Sequence, residues 1–245
     1  MLPLAHIYVS TRVANKKTPL LVFGSVLPDV SWTSKSEIAR DQIHYAPREF
    51  YKFISENYPK LIDLAVGVKL HSNIDKGADF YCDDTETGFA KVEGRKIEKE
   101  VADLLGEEKS ERSLGLAHSF IEASVDILLN KSKPEILELY KQSMAAVNLE
   151  EISGYFSSYL RLDKDIILKE FNNFLGFVGP TAYLSEESQM DRMVLLIKQR
   201  RGKEVDREET KKILESAMTL MADKYQNYLD NAISQIKINF SSILK

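Results

Sequence analysis

The chain has four histidines, His6, His44, His71 and His118, all in its first half. Two are followed four residues later by a carboxylate: His71 by Asp75, and His118 by Glu122. Residues at i and i+4 are neighbours on a helix. If helical, each pair therefore offers an imidazole nitrogen and a carboxylate oxygen to one ion such as zinc. Such a pair also forms an ordinary hydrogen bond, so neither decides anything alone. Their surroundings add weight, because Leu64 to Ile74 and Leu114 to Leu129 are apolar runs, and a buried carboxylate must be paired or bound to a metal. A third element is Phe23-Gly24-Ser25-Val26-Leu27-Pro28-Asp29. An acid in such an apolar turn either caps the next helix or binds a cation. His44 lies in a loop before a helix that Pro47 opens, and His6 lies on the first helix. Taken singly, each reads as structural or exposed.

The elements that must carry these residues are helices. The 11 glycines and 7 prolines punctuate the chain, and no Asn-Gly hairpin signal joins alternating strands. The pattern predicts helices over Leu4 to Ala14, Pro47 to Phe53, Leu61 to Tyr81 and Leu114 to Leu129. Further helices are expected from Pro134, over Ile152 to Leu160 and over Lys164 to Phe177. Gly179-Pro180 then breaks the chain. Asp83 to Lys99 reads as a charged loop at the mouth of the site or a plain connector. Asp206 to Leu244 reads as one long amphipathic stretch facing the core. The basic run Lys198 to Lys203 reads as a solvated helix end, with phosphate binding the lesser alternative. The expected class is all-α, a multi-helix bundle, with a metal-binding core over residues 1–135 and a helical continuation over 136–245 packed on it.

Composition bounds the chemistry. Lys and Arg number 33 against 37 Asp and Glu, for a net charge of -4. That balance disfavours stable duplex nucleic-acid binding, which needs a cationic surface. The one cysteine, Cys82, excludes an intrachain disulfide and a Cys-rich zinc module, and fits a reducing compartment. The longest apolar stretches are too short to span a bilayer. The first ten residues lack the features of a secretory signal, so a cytoplasmic location is expected.

In order along the chain, His6, Gly24 to Asp29, His44 with Phe50, Gly67 to Asp75 and His118 to Glu122 together resemble the zinc-dependent phospholipase C family. The superfamily of that family includes single-strand-specific nucleases. The resemblance covers about the first 130 residues. It implies an all-helical bundle of that type holding two or three zinc ions. Asp29, His44, His71 and Asp75 would hold the first, and His118 and Glu122 the second, with Asp29 bridging. His6, Asp75 and the amine and carbonyl of Met1 would hold the third. Where the family usually has a further histidine, this chain has Tyr81, and Asp79 or Asp83 are the candidate substitutes.

The resemblance further implies a phosphoric ester hydrolase acting on a phosphodiester-containing small molecule or lipid, with Asp29 and Asp75 as its central carboxylates. Two cations about 3.5–4 Å apart can clamp the attacking and leaving oxygens and make hydroxide available near neutral pH. A second resemblance, to acyl carrier protein phosphodiesterase, rests on Leu4-Ala5-His6, Gly24 to Asp29 and Gly67 to Asp75. It leaves His44 and the His118–Glu122 pair unexplained. A non-catalytic helical protein with a degenerate structural zinc site is the third reading.

Overall fold

Helices α1 (Pro3–Ala14) and α2 (Pro19–Val26) both start on a proline, whose fixed φ suits the first turn and whose missing N–H has no partner there. The computed structural model describes residues 1–31, 36–84 and 86–243. A 3-10 turn, Leu27–Ser31, extends α2 and carries Asp29. Next come α3 (Arg40–Ile43), α4 (Pro47–Asn57), α5 (Ile62–His71), α6 (Ala78–Asp83), α7 (Phe89–Leu105) and α8 (Glu111–Ser132). The remainder is α9 (Glu135–Ala146), α10 (Leu149–Leu160), α11 (Lys164–Val178), α12 (Glu186–Arg201), α13 (Arg207–Met221) and α14 (Tyr225–Ile243). No strand occurs among the described residues, so the chain is all-α. None of its described helices is long and apolar enough to cross a membrane.

Two glycines set the closest helix contact. A Cβ at Gly67 would lie 2.5 Å from the Leu21 carbonyl oxygen and 2.7 Å from the backbone of Gly24 and Ser25. A Cβ at Gly24 would run into the Leu64 carbonyl. Only at glycine can α2 and α5 approach this closely. That approach sets the Asp29 turn beside the end of α5. The second half of the chain closes over the first through buried rings. Phe171 on α11 meets Phe23 edge-on at 5.8 Å and Phe156 on α10 at 5.3 Å, and Phe156 meets Phe50 on α4 at 4.9 Å.

Three segments differ from the sequence expectation. The span from Leu61 to Tyr81 is not one helix. After a short 3-10 turn, α5 runs to His71, where Ser72 turns extended, and the Ser72 carbonyl accepts the Gly77 N–H at 2.7 Å. Lys76 is left-handed at φ 54, and α6 starts at Ala78. Side-chain competition from Ser72, whose hydroxyl accepts the Ile74 N–H at 3.0 Å, helps end the helix. The span from Asp83 to Lys99 is mostly α7 rather than loop. Its buried Ala90, Ile97, Val101 and Leu105 recur at helical spacing against α8. The final stretch is two helices, α13 and α14, and Leu244 lies outside the described residues.

Candidate metal centre

Six elements meet at one place. Asp126, buried on α8, accepts the N–H groups of Leu4 at 3.0 Å and Ala5 at 2.9 Å. A carboxylate there satisfies two of the unpaired donors at the start of α1 and suits the positive end of its dipole. This anchors Met1 and His6. The glycine contact sets Asp29 beside His71, the last residue of α5. His44 follows α3. The turn at Ser72–Gly77 folds α6 back, so that Asp79, Cys82 and Asp83 face the same point. One and two turns before Asp126, α8 adds Glu122 and His118.

Asp79 is the hub. Its Oδ1 lies 2.8 Å from the Met1 amine and 3.1 Å from His6 Nε2. Its Oδ2 lies 3.1 Å from both His44 Nε2 and His71 Nε2. Asp29 Oδ1 stands 3.8 Å from His71 Nε2 and 3.9 Å from His44 Nε2. Beside this, His118 Nε2 is 2.8 Å from Asp83 and 3.4 Å from Glu122, whose Oε1 is 2.7 Å from the Met1 amine. The rings of His6 and His71 stack at 3.8 Å.

In the cluster, opposite charges facing one another work against the cost of burial. Burial works against ionisation of Asp79, yet the Met1 ammonium and the neighbouring imidazoles hold its pKa well below the usual carboxylate range. Burial likewise opposes charge on His71 and His118, yet the facing acids raise both pKa values. His6 goes the other way, down to about 4, because of burial with His71 and the amine close by. Burial raises the Cys82 pKa and keeps it a thiol.

The donor set fits a cation. His71 Nδ1–H donates to the Ser25 carbonyl at 2.8 Å. A carbonyl can only accept, so in the neutral ring Nε2 carries the lone pair, and it points at Asp79 and Asp29. Hydrogen bonding of the remote nitrogen is the arrangement that orients a ligating histidine. Both nitrogens of His6, and Nε2 of His71, are buried with no hydrogen-bond partner. Arg40 Nη2 donates to His44 Nε2 at 3.0 Å, so the lone pair of that nitrogen is taken by the guanidinium, which a cation held by His44 would have to displace. Among the described residues three groups could hold an ion: His6, Asp29 and His71; His44, His71 and Asp79; and Cys82, Asp83, His118 and Glu122. Within each group the donor atoms lie no more than 4.8 Å apart.

Of the residues singled out in the sequence, Met1, His6, Asp29, His44, His71, His118 and Glu122 come together here. Asp75 does not. It leaves the helix with the Ser72–Gly77 turn and pairs with Arg48 Nε at 2.5 Å and the buried Lys69 Nζ at 3.7 Å. The positions that the resemblance gave to Asp75 are filled by Asp79. Tyr81 stands apart on α6, while Asp79 and Asp83 both join the cluster. Nothing in the local pattern marked Cys82 as a fourth donor beside His118. Asp29 is not sealed in its turn: its side chain is 26 % exposed, toward a cavity of about 180 Å³ that Asp79, Asp83, His118 and Glu122 also line.

Comparison of the chain with protein-family models, with curated proteins and with solved structures finds no match.

Proposed function

We propose that the chain is a metal-dependent phosphoric ester hydrolase of the zinc-dependent phospholipase C kind. The observation that carries this reading is the convergence of all four histidines, four acids and the Met1 amine in one cluster that borders a cavity. Structural zinc sites are closed, whereas catalytic ones keep an open position. Here Met1, Asp29, Asp79, Asp83, His118 and Glu122 line a cavity, while His6, His44, His71 and Cys82 are buried; that open side favours catalysis over a purely structural ion.

The imidazole and carboxylate donors suit zinc. His44, His71, Asp29 and Asp79 would hold one ion. His118, Glu122, Asp83 and Cys82 would hold another, and His6 with the Met1 amine would complete a third around Asp79. Bound there, the ions would lower the pKa of water and polarise a phosphoryl oxygen. Asp79 orients three imidazoles and the amine at once. Ser25 fixes the His71 tautomer through its carbonyl. Asp29, which reaches the cavity from its turn, would face the reacting group.

The test is metal analysis of the purified full chain together with hydrolysis of bis(p-nitrophenyl) phosphate. Two or three zinc ions per chain and chelator-sensitive hydrolysis are expected. Metal-free protein, or hydrolysis that survives a chelator, would overturn the reading.

A further inference from the structure

The two ends of the cluster differ in donor chemistry. Around Asp79 the donors of His44, His71 and Asp29 are imidazole nitrogens and carboxylate oxygens. The group carried by α6 and α8 adds a sulfur, that of Cys82, to Asp83, His118 and Glu122. Cys82 Sγ stands 3.5 Å from Glu122 Oε1, which is 3.4 Å from His118 Nε2, and that nitrogen is 2.8 Å from Asp83 Oδ1. Ligand atoms around a tetrahedral zinc, with bonds of about 2.0–2.3 Å, lie about 3.3–3.5 Å apart. Two of the three separations already have that spacing. The Met1 ammonium, 2.7 Å from Glu122 and 3.6 Å from Asp83, is the cation that these acids hold in the structure. A second observation points to the sulfur. Tyr228 on α14 shares a small void with Cys82 and Glu122. Phe89 stacks on its ring at 4.1 Å and holds it there. The Tyr228 side chain is buried, and its Oη has no hydrogen-bond partner. Burial, followed by Cys82, raises the pKa of this phenol, so it keeps a proton to donate. A buried O–H without an acceptor is costly, and a thiolate at Cys82 would supply one.

We propose that Cys82, Asp83, His118 and Glu122 form a thiolate metal site that selects zinc-like ions over harder ones such as manganese, with Tyr228 donating a hydrogen bond to the sulfur. Binding breaks the Sγ–H bond: the sulfur lone pair goes to the ion and the proton leaves to solvent. Thiolate favours zinc and cobalt, whereas sites built of oxygen and imidazole also accept harder ions, so the two ends of the cluster differ in the metals they tolerate. Tyr228 acts through the sulfur, as outer partners of metal ligands do, and tunes its basicity. The proposal rests on the metal-centre part of the reading above and is independent of hydrolysis.

The experiment is titration of the full chain, dialysed free of metal, with cobalt(II) chloride, followed by absorbance. A sulfur-to-cobalt charge-transfer band in the near ultraviolet is expected. Cys82 is the only cysteine, so the band has one possible source and the wild-type chain alone decides the point, even where a variant does not fold. Cys82→Ser should lose the band and still bind cobalt at the His44–His71–Asp79 group. Tyr228→Phe should keep the band and move it to longer wavelength, because a sulfur that loses a hydrogen bond gives up its electron more easily. One equivalent of zinc should remove the band, whereas about a tenfold excess of manganese should not. Cobalt binding without the band, no cobalt binding, or a band that survives in Cys82→Ser would overturn the thiolate site. An unmoved band in folded Tyr228→Phe would remove the hydrogen bond, and displacement by manganese as readily as by zinc would remove the selectivity. The band in a chain that hydrolyses no phosphoric ester would support the site while removing the hydrolase reading; chelator-sensitive hydrolysis without the band would do the reverse.

Discussion

The Nδ1–H of His71 donates to the carbonyl oxygen of Ser25 at 2.8 Å, joining the last residue of α5 to the helix that leads into Asp29. One bond thereby fixes the ring's tautomer, its rotation and its separation from the acid it faces. The bond is possible because α2 and α5 touch through Gly24 and Gly67. The spacing of the donors is thus set by a packing contact that bears no chemistry itself.

Gly67→Ala should disturb that spacing. The new methyl group meets the backbone of Leu21, Gly24 and Ser25, none of which can rotate away as a side chain would. Overpacking of this kind costs about 1–3 kcal/mol. Because α2 must shift relative to α5, bound metal should fall along with the denaturation midpoint. Metal content at the wild-type level in a folded Gly67→Ala chain would show that the contact does not set the site.

Asp75 and Asp79 should separate cleanly. Asp79→Asn removes the carboxylate shared by Met1, His6, His44 and His71, and should abolish most metal binding. Asp75→Asn should leave metal content unchanged and lower stability by about 3 kcal/mol, because Lys69 stays buried without its counter-ion. Metal analysis and urea denaturation of both variants read the two effects. Loss of metal in Asp75→Asn alone would restore the assignment made from the sequence.

That reversal shows where the sequence was legible. Helices α1, α8 and α11 followed from apolar spacing and breakers, and His118 with Glu122 followed from an i,i+4 pair within one continuous helix. The same rule failed at His71 and Asp75 because it presumes that the helix continues. Ser72, Asn73 and Gly77 are turn-forming residues, and their signal was outweighed by the apolar run before them. The Asp83–Lys99 segment misled in the opposite sense, since its charges mask a narrow buried stripe. Cys82 could not be read as a donor at all. Its place beside His118 depends on how α6 packs near α8, and only tertiary packing decides that.

Asp126 should give stability a pH dependence of its own. Burial raises its pKa from 3.8 to about 7, against the pull of the Leu4 and Ala5 N–H groups. Between those values the native state keeps a proton that the unfolded chain has lost, so stability falls as pH rises from about 4 to about 7. Asp126→Asn keeps an acceptor for α1 and cannot ionise. The variant should therefore be less stable than wild type near pH 5, and the gap should narrow by pH 8. A gap that stays constant or widens in urea titrations at the two pH values would contradict this account.

Metal binding should release protons. In the metal-free chain, burial disfavours charge on His71 and His118, but the acids around them raise both pKa values, so each competes for a proton at the nitrogen that faces the site. A cation must displace those protons and take over their role of neutralising Asp29, Asp79, Asp83 and Glu122. Zinc added to stripped protein in weak buffer near pH 7 should therefore acidify the solution. Apparent affinity should drop as pH is lowered, since both groups have raised pKa values and hold their protons more firmly there. Removing the ions should also lower the melting temperature, because ligands from α1, α5, α6 and α8 then lose their common partner. A ligand present at about 1,000 times its Kd contributes about 4 kcal/mol to the native state. No acidification on adding zinc, with a melting temperature indifferent to chelator, would mean that these side chains pair with one another and hold no ion.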